Sequence, residues 1–251
     1  MLTHINAPKI VIQQLHATYG RHVLFDNLNI TFESNRCSCL LGKSGVGKST
    51  LLKLIAGLIP SQQGRIHCDN NQSLSQQIAY MAQTDLLLPW YSVLDNVLIS
   101  TRLRGKISSD ARHAAKTLLE KVGLTHASHK FPYQLSGGMR QRVALVRTLL
   151  NDKPILLIDE PFSSVDAITR FQLQTLLSEF LKNRTTLLVT HDPLEALRLA
   201  DDIYILKGEP AKLHKIITLT SPAPREFSNS EILQQQENLF HLLSVTEEKL
   251  S

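Results

Sequence analysis

The nine residues Gly42-Lys43-Ser44-Gly45-Val46-Gly47-Lys48-Ser49-Thr50 restrict the possible folds of this chain more than any other stretch. They fit the phosphate-binding pattern of a glycine, four residues of any kind, then Gly-Lys-Ser/Thr. Cys39, Leu40 and Leu41 precede the loop as an apolar run, and Leu51, Leu52, Leu54 and Ile55 follow it at helical spacing. That is the strand–loop–helix setting the pattern needs. The glycines let the backbone turn tightly beside a polyphosphate, and the freed N–H groups and the helix N-terminus present positive potential to it. Lys48 is expected to reach the β- and γ-phosphates, and the Ser49 hydroxyl to ligate Mg²⁺. The loop predicts a bound nucleotide.

A second element answers it. Ile155-Leu-Leu-Ile158 is an apolar run ending in Asp159-Glu160, the pattern of a buried parallel strand. Two carboxylates at the end of such a strand are costly without a cation. Asp159 is expected to organise Mg²⁺, and Glu160 to polarise an attacking water. Two further strands, Ile78–Met81 and Thr186–Thr190, lead into Gln83 and His191. Polar residues at the carboxyl ends of parallel strands are where an α/β sheet places ligand contacts. Taken singly, Gln83 also reads as a solvent-facing glutamine and His191 as a satisfied core histidine. Residues 10–33 read as two strands with a turn at Tyr19-Gly20. Tyr19 is either a core aromatic at a strand end or a stacking platform for adenine.

Between Thr84 and Leu150 the pattern turns helical, with segments around Val93–Arg104 and Ser109–Val122, the second capped by Ser109 or Asp110 and stopped by Gly123. Leu86-Leu87-Leu88-Pro89-Trp90 opens this insertion as an apolar, rigid stretch, fit for internal packing or for docking a partner helix. Leu135-Ser136-Gly137-Gly138-Met139-Arg140-Gln141-Arg142 follows. Ser136 is a good N-cap, Gly137 and Gly138 leave backbone N–H groups open, and Met139, Val143, Val146 and Leu150 form one stripe. This is a second anion site on a helix N-terminus. One nucleotide does not need two such sites on one chain; two nucleotides shared between two chains do. Ser164-Val165-Asp166 is expected as a turn. Beyond Gly208 the signals fade. Pro222 and Pro224 mark a linker, and Ser228 with Glu231 suggests a capping box for a last amphipathic helix, a packing element too short for an independent regulatory domain.

Composition excludes more than it assigns. Lys and Arg number 27 against 22 Asp and Glu, without a long basic run, so a nucleic-acid face is not indicated. Cys37, Cys39 and Cys68 cannot complete a disulfide framework, and His126 with His129 lack the companions of a zinc site. No basic-then-apolar leader and no apolar run of membrane-spanning length is present, so the expectation is a cytosolic chain that meets membrane only through a partner. There is no internal repeat.

With the phosphate loop, Gln83, Ser136-Gly137-Gly138, Asp159-Glu160 and His191 in this order, residues 10–208 resemble an ATP-binding-cassette (ABC) ATPase. The resemblance implies an α/β fold, a P-loop NTPase (RecA-like) core with a β-subdomain and an inserted α-helical subdomain. The whole of 1–251 would be a single ABC domain: core about 1–83 and 147–208, helical part about 84–146, tail 209–251. It implies a head-to-tail homodimer in which each ATP lies between one copy's phosphate loop and the other's signature helix. It further implies that Tyr19 stacks on adenine, Gln83 senses Mg²⁺ and the transport subunit, Glu160 is the base, Asp166 contacts the partner copy and His191 reads the γ-phosphate. Two departures stand out: Met139 where glutamine is commoner, and Asn35-Arg36 for the usual Gly-Glu.

The Leu87-Leu88-Pro89-Trp90 stretch, the signature and the tail with Gly208-Glu209-Pro210-Ala211 look like the importers of nitrate, taurine, aliphatic sulfonates and thiamine pyrimidine precursors, the last type being the first expectation. Partners would be transmembrane permease subunits and, through them, a periplasmic solute-binding protein, with the chain on the cytoplasmic face of the inner membrane. Rivals fit less well. A soluble translation-factor cassette carries two copies per chain, and a chromosome-maintenance cassette a long coiled coil. A phosphoryl-transfer kinase leaves Ser136-Gly137-Gly138 idle, and a purely structural binding module leaves Glu160 idle.

Overall fold

The structure, a computed structural model, describes residues 7–248. The outermost residues of the expected 1–251 domain, 1–6 and 249–251, lie outside it. The strands, in chain order, are β1 (Ile10–Tyr19), β2 (His22–Phe32), β3 (Cys37–Leu41), β4 (Gln63–Cys68), β5 (Ile78–Met81), β6 (Ile155–Asp159), β7 (Thr185–Val189), β8 (Asp202–Lys207) and β9 (Lys212–Thr218). The helices are α1 (Lys48–Ile55), α2 (Leu74–Gln77), α3 (Val93–Val97), α4 (Ile99–Arg104), α5 (Ser109–Lys121), α6 (Gly137–Leu149), α7 (Ala167–Leu181), α8 (Pro193–Leu199) and α9 (Ser230–Glu248).

β3, β6 and β7 are buried at every position, which is why they read as unbroken apolar runs rather than alternating ones. They form the centre of a sheet ordered β5-β6-β7-β3-β8-β9, parallel except for β9 at the edge. A second, antiparallel sheet has the order β2-β1-β4. Alternate residues of the large sheet feed two cores. Leu40, Leu157 and Val189 pack with α1 and the antiparallel sheet. Cys39, Ile158 and Leu188 pack with α3 and with α5 to α8. All three cysteines are free and buried, packing as small core residues.

The consequence for function is positional. In a parallel sheet the carboxyl ends share one edge. β3 delivers the phosphate loop there, β5 delivers Gln83, β6 ends on Asp159 and β7 leads to Thr190-His191. Four distant sequence segments therefore arrive at one place.

Several local expectations need correction. The helix expected over Val93–Arg104 is two, broken at Leu98, which packs fully buried between them. The cap of α5 is Ser108, whose side chain accepts from Ala111 N–H at 3.1 Å, not Ser109 or Asp110. Glu231 does not close a capping box with Ser228. It reaches back to accept from Thr220 and Ser221 N–H at 2.8 and 3.0 Å, while Asn229 accepts from Glu231 N–H at 2.9 Å. Burial works against that carboxylate, but the hydrogen bonds from Ser221 and Thr220 outweigh it and hold its pKa down to about 2. β9 was unmarked in the sequence pattern. Asn35 explains one of the two departures: its φ is +57°, a left-handed turn that glycine fills freely and asparagine tolerates best among the rest. Arg36 beside it pairs with Asp202 at 2.7 Å.

The tail packs onto α8. Arg225 is fully buried and donates to Ala200 O at 2.6 Å and Leu197 O at 3.2 Å, orphan carbonyls at the helix C-terminus. No helix among the described residues is long and apolar enough to cross a membrane.

Candidate nucleotide site

Gly42 leaves β3 with φ +150°, and a Cβ there would stand 2.4 Å from Leu206 O, so only glycine fits. The loop then curls round the Lys48 ammonium, which donates to Gly42 O at 2.7 Å and Lys43 O at 2.9 Å. Gly47, φ +108°, is the N-cap of α1, so the open N–H groups of the first turn, from Lys48, Ser49 and Thr50, face the loop. Burial lowers the Lys48 pKa, opposed by Glu160 and Asp159. Ammonium and helix end together make an anion cradle.

Beside the loop lies a groove of about 710 Å³, within the range of small-molecule sites, walled by Tyr19, His22, Lys43, Ser44, Val46 and Lys207. Tyr19 is 75% exposed at its rim, which rules out the core reading and leaves an aromatic face open to a base.

Asp159 is buried at the end of β6. Burial raises its pKa, a Ser49 hydrogen bond lowers it, and the neighbouring Glu160 charge raises it again. Its Oδ1 is buried without a partner. A buried carboxylate oxygen left open beside a hydroxyl at a phosphate loop suits a hard divalent cation, so Asp159 and Ser49 fit Mg²⁺.

Glu160 is the most constrained residue of the site. It sits at φ +47°, a conformation costing a non-glycine residue about 1–2 kcal/mol. Its N–H donates to Val189 O at 2.9 Å, and its carbonyl accepts from Gln141 Nε2 at 2.8 Å. Strain of this kind persists where the surroundings over-determine it, and it clusters at functional sites. The carboxylate is thereby aimed at the sheet edge. One of its oxygens, Oε2, lies 3.3 Å from Gln83 Nε2 and 3.4 Å from His191 Nδ1. The first is a long hydrogen bond and the second a long contact of the kind an ion pair makes. Gln83, Glu160 and His191 are brought together as expected.

Ser136-Gly137-Gly138 stands apart. Ser136 caps α6, accepting from Met139 N–H at 3.2 Å, and Ser136 and Gly137 are exposed. None of this element lines the groove. Gly138 has a further reason to be glycine: a Cβ would meet Ser164 O at 2.8 Å. Asp166 caps α7 through Thr169 N–H at 3.0 Å, which lowers its pKa.

Sequence reasoning passed over Gln141. Buried, it donates to Glu160 O and to Ser163 Oγ at 3.0 Å, and accepts from Ser164 N–H at 2.8 Å. It ties the signature helix to the turn holding Glu160. No local signal marks it, since its partners lie 19 to 23 residues away.

A phosphate cradle, a cation-poised aspartate and a strained carboxylate at the carboxyl edge of a parallel sheet define a P-loop ATPase. The family model that matches residues 25–163, more than half the chain, is that of the ABC transporter. Over 230 residues the chain is 44% identical to an ABC transporter ATP-binding protein of Haemophilus influenzae, covering 90% of this chain and 95% of that one. It is 39% identical over 206 residues to the taurine import ATP-binding protein TauB of Escherichia coli, covering 80% and 81%. Among solved structures, it superposes on the dimeric structure of MJ0796, a bacterial ABC transporter cassette, with TM-score 0.76 and 28% identity, over 84% of this chain and 99% of that one. The same cassette in a post-hydrolysis state bound to ADP and Pi matches with TM-score 0.75. The chain belongs to the ABC transporter family, as an ATP-binding cassette ATPase.

Proposed function

We propose that two copies of this chain sandwich two ATP molecules and spend their hydrolysis on moving a small solute through a partner permease at the cytoplasmic face of the membrane. The observation that carries this is the division of anion sites. The phosphate loop, through Lys43, Ser44, Gly45 and Val46, walls the groove with Tyr19, whereas the exposed N-terminus of α6 lies outside it and in this reading meets phosphate only on another copy. The dimeric state of MJ0796 supports the pairing.

Within that site, Tyr19 stacks on adenine while Lys43, Ser44, Gly45, Val46 and the Lys48 ammonium hold the phosphates. Ser49 and Asp159, with Gln83 beside them, would hold Mg²⁺, which would supply neutralisation of the phosphate charge. Glu160 takes a proton from the water attacking the γ-phosphorus, His191 holds a γ-phosphate oxygen, and Asp166 reaches the partner copy. Closure follows from charge: each α6 N-terminus gains an anion only in the paired state, and loss of phosphate removes it.

Arg140 Nε pairs with Asp85 at 3.0 Å, and Arg147 donates to Asp85 O and Leu86 O at 2.6 and 2.8 Å. Movement of α6 therefore carries the Leu86–Trp90 segment with it. Trp90 is 67% exposed there, a surface for a permease helix. Coexpressed with candidate permease subunits, the chain is expected to copurify with a multispanning protein. Trp90→Glu is expected to release it into the soluble fraction while ATP binding persists. Cosedimentation with ribosomes instead would favour a soluble, non-transport cassette.

For cargo, the stretch ending at Trp90, the signature and the tail support the nitrate, taurine, sulfonate and pyrimidine-precursor group, with a thiamine pyrimidine precursor as the first reading within it. The 39% identity to TauB supports the alternative, taurine or another sulfonate, with nitrate beside them. Cargo contacts belong to the periplasmic solute-binding protein. A thermal-shift screen of that protein against pyrimidines, sulfonates and nitrate decides between them.

A further inference from the structure

Two buried polar atoms just beneath the site have no partner: Glu195 Oε1 on α8 and Arg170 Nε on α7. Both residues line one small cavity together with Glu160, Ser163, Thr190 and His191. Its volume of about 10 Å³ is that of a single water position. Two residues from different helices, each with an unmatched buried polar atom, thus line one water-sized space.

The surrounding bonds lead to His191 from both sides. Glu195 is 4% exposed, and its Oε2 accepts from Thr190 Oγ1 at 3.0 Å. Thr190 Oγ1 accepts from Asp192 N–H at 3.1 Å. Asp192 Oδ1 caps α8, taking Leu194 N–H at 2.9 Å and Glu195 N–H at 3.4 Å. The two chain neighbours of His191 are therefore both fastened to Glu195. Arg170 reaches the same turn from α7, with Nη1 3.6 Å from Asp192 Oδ2, while its Nη2 donates to Val165 O at 3.1 Å. Val165 directly precedes Asp166.

We propose that Glu195 and Arg170 are positioning residues for His191, joined through one water in this cavity, so that the turn carrying Asp166 and the turn carrying His191 move as one body. The water accepts from Arg170 Nε–H and bonds Glu195 Oε1, and its remaining protons serve the wall formed by Glu160 and Ser163. Burial pushes the Glu195 carboxyl up to about 8, against the Thr190 hydrogen bond, so at neutral pH it is an acid able to donate to the water while accepting from Thr190. A contact between two copies at Asp166 is thereby felt at the residue that reads the γ-phosphate. This rests on the assignment of His191 to the γ-phosphate given above.

The test uses the full chain with Mg-ATP, comparing kcat, KM and ATP affinity in Glu195→Leu, Arg170→Met, the two combined, and Glu195→Gln. Each of the first two is expected to lower kcat tenfold or more with KM and ATP affinity within threefold, because binding groups are untouched while His191 loses its orientation. The double variant is expected to be no worse than the poorer single one, since both break the same bridge. Glu195→Gln, which still accepts from Thr190 and donates to the water, is expected to recover turnover to within threefold of the parent. Multiplying effects in the double variant, a Gln variant as poor as Leu, or KM rising in step with the loss of kcat overturns the proposal. If Glu195→Leu does not fold, Arg170→Met and Glu195→Gln decide alone, and parental turnover in Arg170→Met overturns it. His191→Ala is run alongside: parental turnover there removes the assignment of His191 itself, a different failure.

Discussion

Glu160→Gln is expected to bind ATP normally, hydrolyse it about 10²–10⁴-fold more slowly, and accumulate as a closed pair. Glutamine matches the carboxylate in shape and still meets the contacts at 3.3 Å from Gln83 and 3.4 Å from His191. The backbone bonds to Val189 and Gln141 that hold φ at +47° do not involve the side chain, so the turn stays as it is. What is lost is the carboxylate that the proposed function assigns to taking the water's proton. Removing a negative charge near the γ-phosphate also favours the ATP-bound state. A radiolabelled-ATP turnover assay beside a filter-binding measurement separates the two effects. Unchanged turnover would remove Glu160 from the role of base, and lost binding would mean that its charge serves the cradle instead.

The other large effect belongs to Ser136→Arg. Losing the cap costs the helix about 1 kcal/mol, small beside a folded domain's stability, so the variant should fold. The long side chain then stands over the exposed N–H groups of α6, where the proposed pairing brings a partner's phosphate. Nothing from this element lines the groove, so ATP binding by the single chain is expected to stay within about threefold, the size of a minor electrostatic change. Pairing should be abolished. In a Glu160→Gln background, gel filtration with ATP is expected to show the pair, and the added Ser136→Arg to return it to single chains. Persistence of the pair would place the signature helix outside the contact.

Much of this site is legible in the chain because its chemistry is also local backbone chemistry. Gly42 is required by a carbonyl 2.4 Å from where a Cβ would be, and a glycine-rich loop announces that demand in one dimension. Asp159-Glu160 stands out because an apolar run ends on two charges. Tyr19 needed three dimensions: a strand-end aromatic has the same spacing buried or open. The residues that sequence reasoning passed over share one property, which is that their partners come from elsewhere in the fold. Gln141 satisfies Glu160 and Ser164, Arg170 reaches Asp192, and Arg225 caps α8 from 25 to 28 residues away. The capping error at Glu231 has the same origin. Its carboxylate took the Thr220 and Ser221 N–H groups, a tertiary contact that outcompeted the local box. β9 escaped because, as an edge strand of mostly exposed residues, Lys212-Leu-His-Lys-Ile-Ile-Thr carries little of the alternation that marks a half-buried strand.

The arrangement also orders the couplings. α6 is bound to Glu160 through Gln141, and to the Leu86–Trp90 segment through Arg140, Arg147 and Asp85. One helix thus links its own exposed N-terminus, the strained Glu160 turn and the exposed apolar surface. Under the proposed function, that linkage is the route by which loss of a phosphate reaches a permease docked at Trp90.

The most direct test of the central claim, that each catalytic site is made by two copies, is specific activity against protein concentration with saturating Mg-ATP, with the mass of the species followed in parallel. Turnover per chain is expected to rise with concentration and to vanish where only the 28.2 kDa single chain remains. Full turnover per chain under dilution to the single species would contradict it.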